Sequence, residues 1–321
     1  MKTIISIILL LSTIYLYLIY GVSSQWSSKF AYSDSIYLLE KQLLYLLFGL
    51  ITVAIFMRVK SLKSVVWFNR VGVSVFSLSL LMLLSMFFIP NSLAPVVDAQ
   101  KLYIVLGGIS IYPILFFAFG IVWLVNYLHN TTNIKNLNLT IIVVVVLSGF
   151  CTLSFHDYGM FLLLELLLVF LLFYINGVSK YLFGTIISIV LGVTFFILTS
   201  PHRLSRLQSW MGSLDPITTQ NPLSFSGLTL LTNHFGVVIS IFIVLLFGIL
   251  IFSIIKRVTF NEKNKLFIVG VGSIFAISLG LNLMSLFGFL PVNPPPLFFF
   301  DYGLSLTVVS YLMIAMLGVL L

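Results

Sequence analysis

Apolar runs of roughly twenty residues follow one another along the chain, separated by short polar breaks. A hydrocarbon core of about 30 Å takes about 20 helical residues to cross, because each residue rises only ~1.5 Å. Read this way, the pattern predicts ten spans, near 3–20, 36–57, 66–89, 109–128, 138–155, 158–175, 181–200, 235–255, 266–288 and 302–320. The breaks carry helix-ending residues: Pro90-Asn91, His129-Asn130, Asn176-Gly177, Ser200-Pro201 and the prolines from Pro291 to Pro296. The runs are continuous and do not alternate, so they predict helices and not barrel strands. The expected fold is a single all-α polytopic membrane domain over 1–321, with an outer interfacial loop at about 201–234.

Composition agrees with a bilayer as solvent: 60% of residues are hydrophobic, 7% are charged, and the mean hydropathy is +1.20. Charge then sets the orientation. With Lys2 inside, the inner loops hold Lys2, Arg58, Lys60, Lys63, Arg70, Lys135, Lys180, Lys256, Arg257, Lys263 and Lys265. The outer segments hold only Lys29, Lys41, Lys101, Arg203 and Arg206. That asymmetry is the one the positive-inside rule expects, and it puts both termini in the cytoplasm. Six acids fall outside (Asp34, Glu40, Asp98, Asp157, Asp215, Asp301) and Glu262 falls inside. The net charge of +8 is therefore a consequence of topology, and no loop has the basic and aromatic interleaving of a nucleic-acid site. The first run is too long for a signal-peptide core and reads as an uncleaved span. One cysteine, Cys151, excludes a disulfide within the chain, and the four histidines are scattered. Gly270-Val271-Gly272 lies inside an apolar run and reads as close helix packing, not a nucleotide loop.

Chemistry must come from the few polar residues that remain. In the outer loop, His202 to Met211 reads as a helix with Arg203 and Arg206 on one face and Leu204, Leu207 and Met211 on another. Trp210 suits the headgroup level, and guanidinium forks match phosphate oxygens. A plain interfacial anchor accounts for the same segment. Asp157 stands at the outer end of two spans with almost no loop between them; it reads either as a helix N-cap or as a functional acid. Glu165, two turns deeper, is an intramembrane acid and so a functional candidate. The proline-rich stretch before Asp301 cannot be helical, which predicts a rigid outer loop with Asp301 facing a cavity or its rim.

In their order along the chain, these motifs resemble the SEDS family, the group containing FtsW, RodA and SpoVE. Val22-Ser23-Ser24 and Glu40-Lys41-Gln42 are similar to that family's first outer loop and the start of its second helix. Asp98-Ala99-Gln100-Lys101, Leu106-Gly107-Gly108 and Tyr112-Pro113 follow the family's next series. His156-Asp157-Tyr158-Gly159 resembles its Pro-Asp-x-Gly motif. Arg203, Arg206 and Leu214-Asp215-Pro216 resemble the opening of its large outer loop. Asn282, Leu290-Pro291-Val292, Tyr302-Gly303 and Ser305 resemble its closing motifs.

The resemblance implies a peptidoglycan glycosyltransferase in the bacterial cytoplasmic membrane. Its substrate would be lipid II, a disaccharide-pentapeptide on undecaprenyl pyrophosphate, and its partner a class B penicillin-binding transpeptidase. A general base would deprotonate the acceptor hydroxyl, and side-chain cations or a divalent metal would stabilise the leaving pyrophosphate. On this reading Arg203, Arg206, Lys101, Lys41 and Gln42 bind substrate, while Asn282, Pro291, Tyr302, Gly303 and Ser305 are motif positions. The chain departs from the family where its large loop should be longest. No Asp or Glu lies between Ile217 and His234, where the family's catalytic aspartate is expected. Asp301, which replaces a serine, Asp157 and Asp215 are left as candidates for the base. Two further readings stay open: a non-catalytic scaffold that holds the transpeptidase, and a flippase for lipid-linked precursors, supported only by Glu165.

Overall fold

The computed structural model describes residues 2–30, 36–59, 64–96, 101–107, 109–198, 227–260, 264–287, 289–290 and 293–320. Among these are ten α-helices, as the hydrophobic runs predict: α1 (Lys2–Phe30), α2 (Tyr37–Arg58), α3 (Val65–Ser85), α4 (Pro113–Thr131), α5 (Ile134–Ser154), α6 (Tyr158–Asn176), α7 (Lys180–Leu198), α8 (Gly227–Ile255), α9 (Lys265–Leu286) and α10 (Leu304–Leu320). Eight of them are long and apolar enough to cross a membrane, and α10 is a shorter apolar helix. The chain is a polytopic all-α membrane protein.

Several boundaries differ from the sequence reading; α3 ends at Ser85 and α5 starts at Ile134, each four residues from the expected position. Ile109–Ile111 is not the start of a span but a strand, β2, paired antiparallel with β1 (Ile104–Leu106) in the register Ile104↔Ile111. Gly107, at φ 56, supplies the left-handed conformation that the hairpin's tight turn requires. α4 therefore begins only at Pro113, where the ring's fixed φ suits the first helical turn. α1 runs on to Phe30. α8 starts at Gly227, eight residues before the expected Phe235, and kinks at Gly236 (φ 82, ψ 174).

The core is built on α4 and α9, with α10 beside them. α3 packs along α4, α2 along α10, α8 along α9, and α5 along α6. A ring cluster joins three helices: Phe68 of α3 lies 4.7 Å from Trp123 of α4, and Phe267 of α9 lies 5.6 Å from the same indole. In a bilayer, association depends on close packing, so small residues sit where backbones meet. A Cβ on Gly120 would fall 2.8 Å from the Phe76 Cα, and one on Gly270 would fall 2.4 Å from a Val122 methyl. The Gly270-Val271-Gly272 stretch is thus close packing, as its apolar setting predicts. At the inner end Asn126 of α4 caps α9, accepting from the Phe267 amide at 3.1 Å and donating to Asn264 at 3.3 Å.

These contacts set opposite expectations for two glycines. Gly120→Val must push α3 from α4 and should lower stability by about 1–3 kcal/mol. Gly280→Ala meets nothing within 4 Å and should be neutral or stabilising by up to about 1 kcal/mol. Thermal unfolding of the two variants in one detergent checks both signs.

Candidate functional site

At the end assigned to the outside, the polar residues converge on the irregular stretch between α9 and α10. Its prolines have no N–H to donate, and their carbonyls need partners where water is scarce. α9 supplies them. Asn282 Nδ2 donates to the Pro295 carbonyl at 2.8 Å, and Ser278 Oγ donates to the Pro296 carbonyl at 2.9 Å. Asn282 is fully buried, and its second amide hydrogen goes to the Ser278 carbonyl at 2.9 Å. Leu297 to Phe300 then turn inward and bury all four side chains. Phe299 takes φ 65 in doing so, a conformation a bulky residue holds only where its packing is fixed.

This loop is wedged between two helix starts. Gly159, in the first turn of α6, has room only for hydrogen: a Cβ there would fall 2.7 Å from the backbone of Asn293, Pro294 and Pro295. Gly227, the first residue of α8, is closer still, since its Cβ would meet the Phe300 carbonyl at 1.9 Å. The Asp301 carboxylate accepts the amides of Gly227 through Oδ1 and Leu297 through Oδ2. It therefore both closes the loop and caps α8, where a negative charge also suits the helix dipole. Asp301 is half-buried, and burial pushes its pKa up to about 7, against the pull of the two amides.

Asp157 stands on the other side of the loop. It is the N-cap of α6, with Oδ1 accepting from the Met160 amide at 3.1 Å. Its Oδ2 accepts from the Tyr112 hydroxyl, brought in by the β-hairpin. Burial raises its pKa to about 6, while the Tyr112 and Met160 hydrogen bonds pull it down. Burial and the Asp157 charge together hold the Tyr112 phenol well above its ordinary pKa. The Tyr103 ring lies 5.0 Å from that of Tyr112, and burial followed by the charges of Asp157 and Asp301 pushes its phenol up to about 12. Tyr103 thus feels both acids at once. His156, which precedes Asp157, takes φ 61, a left-handed conformation that few residues other than glycine adopt.

The remaining motif residues tie this cap together. Ser305, at the start of α10, accepts the Tyr112 amide at 2.8 Å. Gln42 of α2 is buried; its Oε1 accepts the Gly303 amide at 3.3 Å and its Nε2 donates to Thr307 at 3.2 Å. Lys101 Nζ donates to the Ile89 carbonyl at 2.7 Å, bracing the segment between α3 and the hairpin. Lys41 is half-buried beside Gln42, and the Tyr302 ring, more than a third exposed, lies 5.9 Å from that of Tyr45 in a tilted pair.

Of the residues singled out in the sequence, the structure brings together Asp157, Asp301, Gln42, Asn282, Gly303 and Ser305. Arg203, Arg206, the amphipathic 202–211 segment, Asp215 and Pro291 lie outside the described residues. Tyr103 and Tyr112 were not singled out as site residues. The Gly107-Gly108 pair between two β-branched runs was the available signal, since it marks a hairpin that would carry both tyrosines to one place.

The FtsW/RodA/SpoVE family, described as cell cycle proteins, matches residues 1–226. Two curated relatives, each a probable peptidoglycan glycosyltransferase FtsW from a strain of Helicobacter pylori, are 31% identical over 161 and 160 residues. Those alignments cover 46% of this chain, and the chain spans only 41% of the length of either relative. Among solved structures, the rod shape determining protein RodA of Thermus thermophilus superposes with a TM-score of 0.70 over 97% of this chain and 94% of that one, at 14% identity. A chain from a peptidoglycan synthase complex that coordinates polymerization and crosslinking gives 0.72 over 95% and 96%, at 16% identity. These structural likenesses show a shared fold.

Removing the amide that serves the Pro295 carbonyl should unfasten the cap. Asn282→Leu leaves the Pro295 carbonyl without its donor and should cost about 1–3 kcal/mol. The loss should appear as a lower unfolding temperature, together with faster hydrogen exchange at Leu297 and Gly303; unchanged exchange there would contradict this role.

Proposed function

We propose, for a chain that belongs to the FtsW/RodA/SpoVE family of cell cycle proteins, a peptidoglycan glycosyltransferase that extends glycan from lipid II at the outer face of the bacterial cytoplasmic membrane. The observation that carries the reading is the pair of acids flanking one rigid loop, each with its pKa raised towards neutrality. A general base works best when its pKa lies near the working pH. Asp301 is the candidate base: it is half-buried, where Asp157 is 8% exposed and locked between Tyr112 and Met160. In the proposed step, Asp301 takes the proton from the acceptor sugar hydroxyl as that oxygen attacks the donor's anomeric carbon. The pyrophosphate leaves with the bonding pair. Asp157 and Tyr112 are positioning residues that set the height of α6 against the loop.

Arg203 and Arg206 are the cations proposed to meet the pyrophosphate, for the forked fit of guanidinium to phosphate. Asp215 stays a secondary candidate for the base, and Lys41 is retained as a phosphate contact. Gln42 and Lys101 spend polar groups on Gly303, Thr307 and Ile89, which favours a supporting role for them over substrate contact. Among the described residues no three His, Cys, Asp or Glu side chains gather as a divalent-cation site would need; no step is routed through such an ion. The proposed partner is a class B penicillin-binding transpeptidase, in keeping with the synthase complex that shares the fold.

A second reading, a scaffold that holds the transpeptidase without transferring sugar, is favoured by the backbone amides on both Asp301 oxygens, which a purely structural aspartate would also hold. Polymerisation of labelled lipid II by the purified chain, alone and with its transpeptidase, separates the two. The enzyme reading predicts glycan product and at least a hundredfold loss in Asp301→Asn; absence of product under both conditions favours the scaffold. The pH profile adds an independent sign. A base is lost on protonation, so the rate should fall as pH drops through about 7, the value for Asp301. Asp157→Asn should leave that limb in place, whereas a limb near pH 6 that disappears in Asp157→Asn would move the role to Asp157.

A further inference from the structure

The α5–α6 hairpin is bonded across its two helices at three depths. At the outer end the Asp157 amide donates to the Thr152 carbonyl at 2.9 Å. At the inner end Asn176 donates to Asn138 at 2.7 Å and accepts in return at 3.4 Å. Between them, Glu165 Oε1 lies 3.0 Å from Ser148 Oγ. Glu165 is 2% exposed, and its Oε2 has no hydrogen-bond partner. The helices are close at this level: a Cβ on Gly149 would fall 3.3 Å from Oε1.

Counting protons fixes the state of this pair. Ser148 has one hydroxyl hydrogen, yet its Oγ lies 3.0 Å from both the Val145 carbonyl and Glu165 Oε1. A carbonyl can only accept. If the hydroxyl hydrogen serves Val145, Glu165 is held only by bringing a hydrogen of its own. If the hydroxyl serves an ionised Glu165, the charge on Oε2 is left buried with no donor among the described residues. From Lys135 to Lys180 the only intervening basic residue is His156, at the outer turn. Of the helices that pack on α5 and α6, α9 has no ionisable residue after Lys265, and α4 and α7 carry theirs only at the inner end, Tyr127 and His129 in one and Lys180 and Tyr181 in the other. Thr152, one turn from Ser148, directs its hydroxyl to the carbonyls of Ser148 and Gly149. An unpaired carboxylate in the membrane is among the costliest of all buried groups.

We infer that Glu165 is a proton-binding site within the membrane. It carries a proton that it donates to Ser148 Oγ, while the Ser148 hydroxyl donates to Val145. The result is a neutral rung that fixes the register of α5 on α6. Because Asp157 caps the first turn of α6, the rung also sets where that acid stands. Glu165 touches no substrate and is a positioning residue. The inference does not depend on the transfer reaction, and its test reads no activity.

Infrared difference spectra of the full chain in lipid nanodiscs, wild type against Glu165→Gln at neutral pH, supply the test. The expected loss is a neutral-carboxyl C=O band; loss of carboxylate bands instead overturns the assignment. Ser148→Ala keeps Glu165 but removes its acceptor, so the C=O band should move to higher frequency, and a band that stays put overturns the Ser148 pairing. In the same variant the ionisation midpoint of Asp157, read from its own carboxylate band, should shift. A midpoint equal to wild type overturns the positioning role.

Discussion

Non-helical backbone near a bilayer survives only if its polar groups find partners inside the protein. That constraint organises the outer end of this molecule. The 293–303 stretch contains three prolines, which cannot continue a helix, and several of its carbonyls and amides are served by side chains, most of them from other elements. Ser278 and Asn282 of α9 take the proline carbonyls, Asp301 takes the amides of Leu297 and Gly227, and Gln42 of α2 takes that of Gly303. Each of these side chains is small or uncharged except Asp301. Its carboxylate is the one charge in the stretch, and it can also take up a proton.

The same requirement accounts for the glycines. Gly159 and Gly227 stand where the loop backbone passes too close for any side chain. The loop, the start of α6 and the start of α8 thus form one body, and the hairpin is stitched to it through Ser305 and Tyr112. Two acids with raised pKa values are held at fixed positions on that body, which is what the proposed proton transfer demands.

Much of this was legible in the sequence where it follows from local pattern. Ten apolar runs gave ten helices among the described residues because a membrane span needs only length and hydrophobicity. The proline cluster marked an irregular outer loop, and the near-absence of residues between α5 and α6 placed Asp157 at a helix start. The hairpin was missed because Ile109 to Ile111 are as apolar as the span that follows them, and hydropathy does not separate a short strand from an adjoining helix. The start of α8 was missed because Thr232, Asn233 and His234 interrupt its apolar run, although Thr232 is satisfied by the Leu228 carbonyl and Ser240. Pairings such as Tyr112 with Asp157, or Asn282 with Pro295, are tertiary: no periodicity encodes which polar side chain completes which buried backbone group.

The proposed function requires that the loop and hairpin form the floor on which an isoprenoid-linked sugar sits. The most direct measurement is photo-crosslinking of a diazirine-bearing undecaprenyl-pyrophosphate disaccharide to the purified protein, mapped by peptide mass spectrometry. Labels carried on the sugar should fall on 101–113 and 293–303, and excess unlabelled precursor should suppress them. Sugar-borne labels confined to the α4–α5 turn or the Lys256–Phe260 segment, at the opposite end of the bundle, would contradict the account.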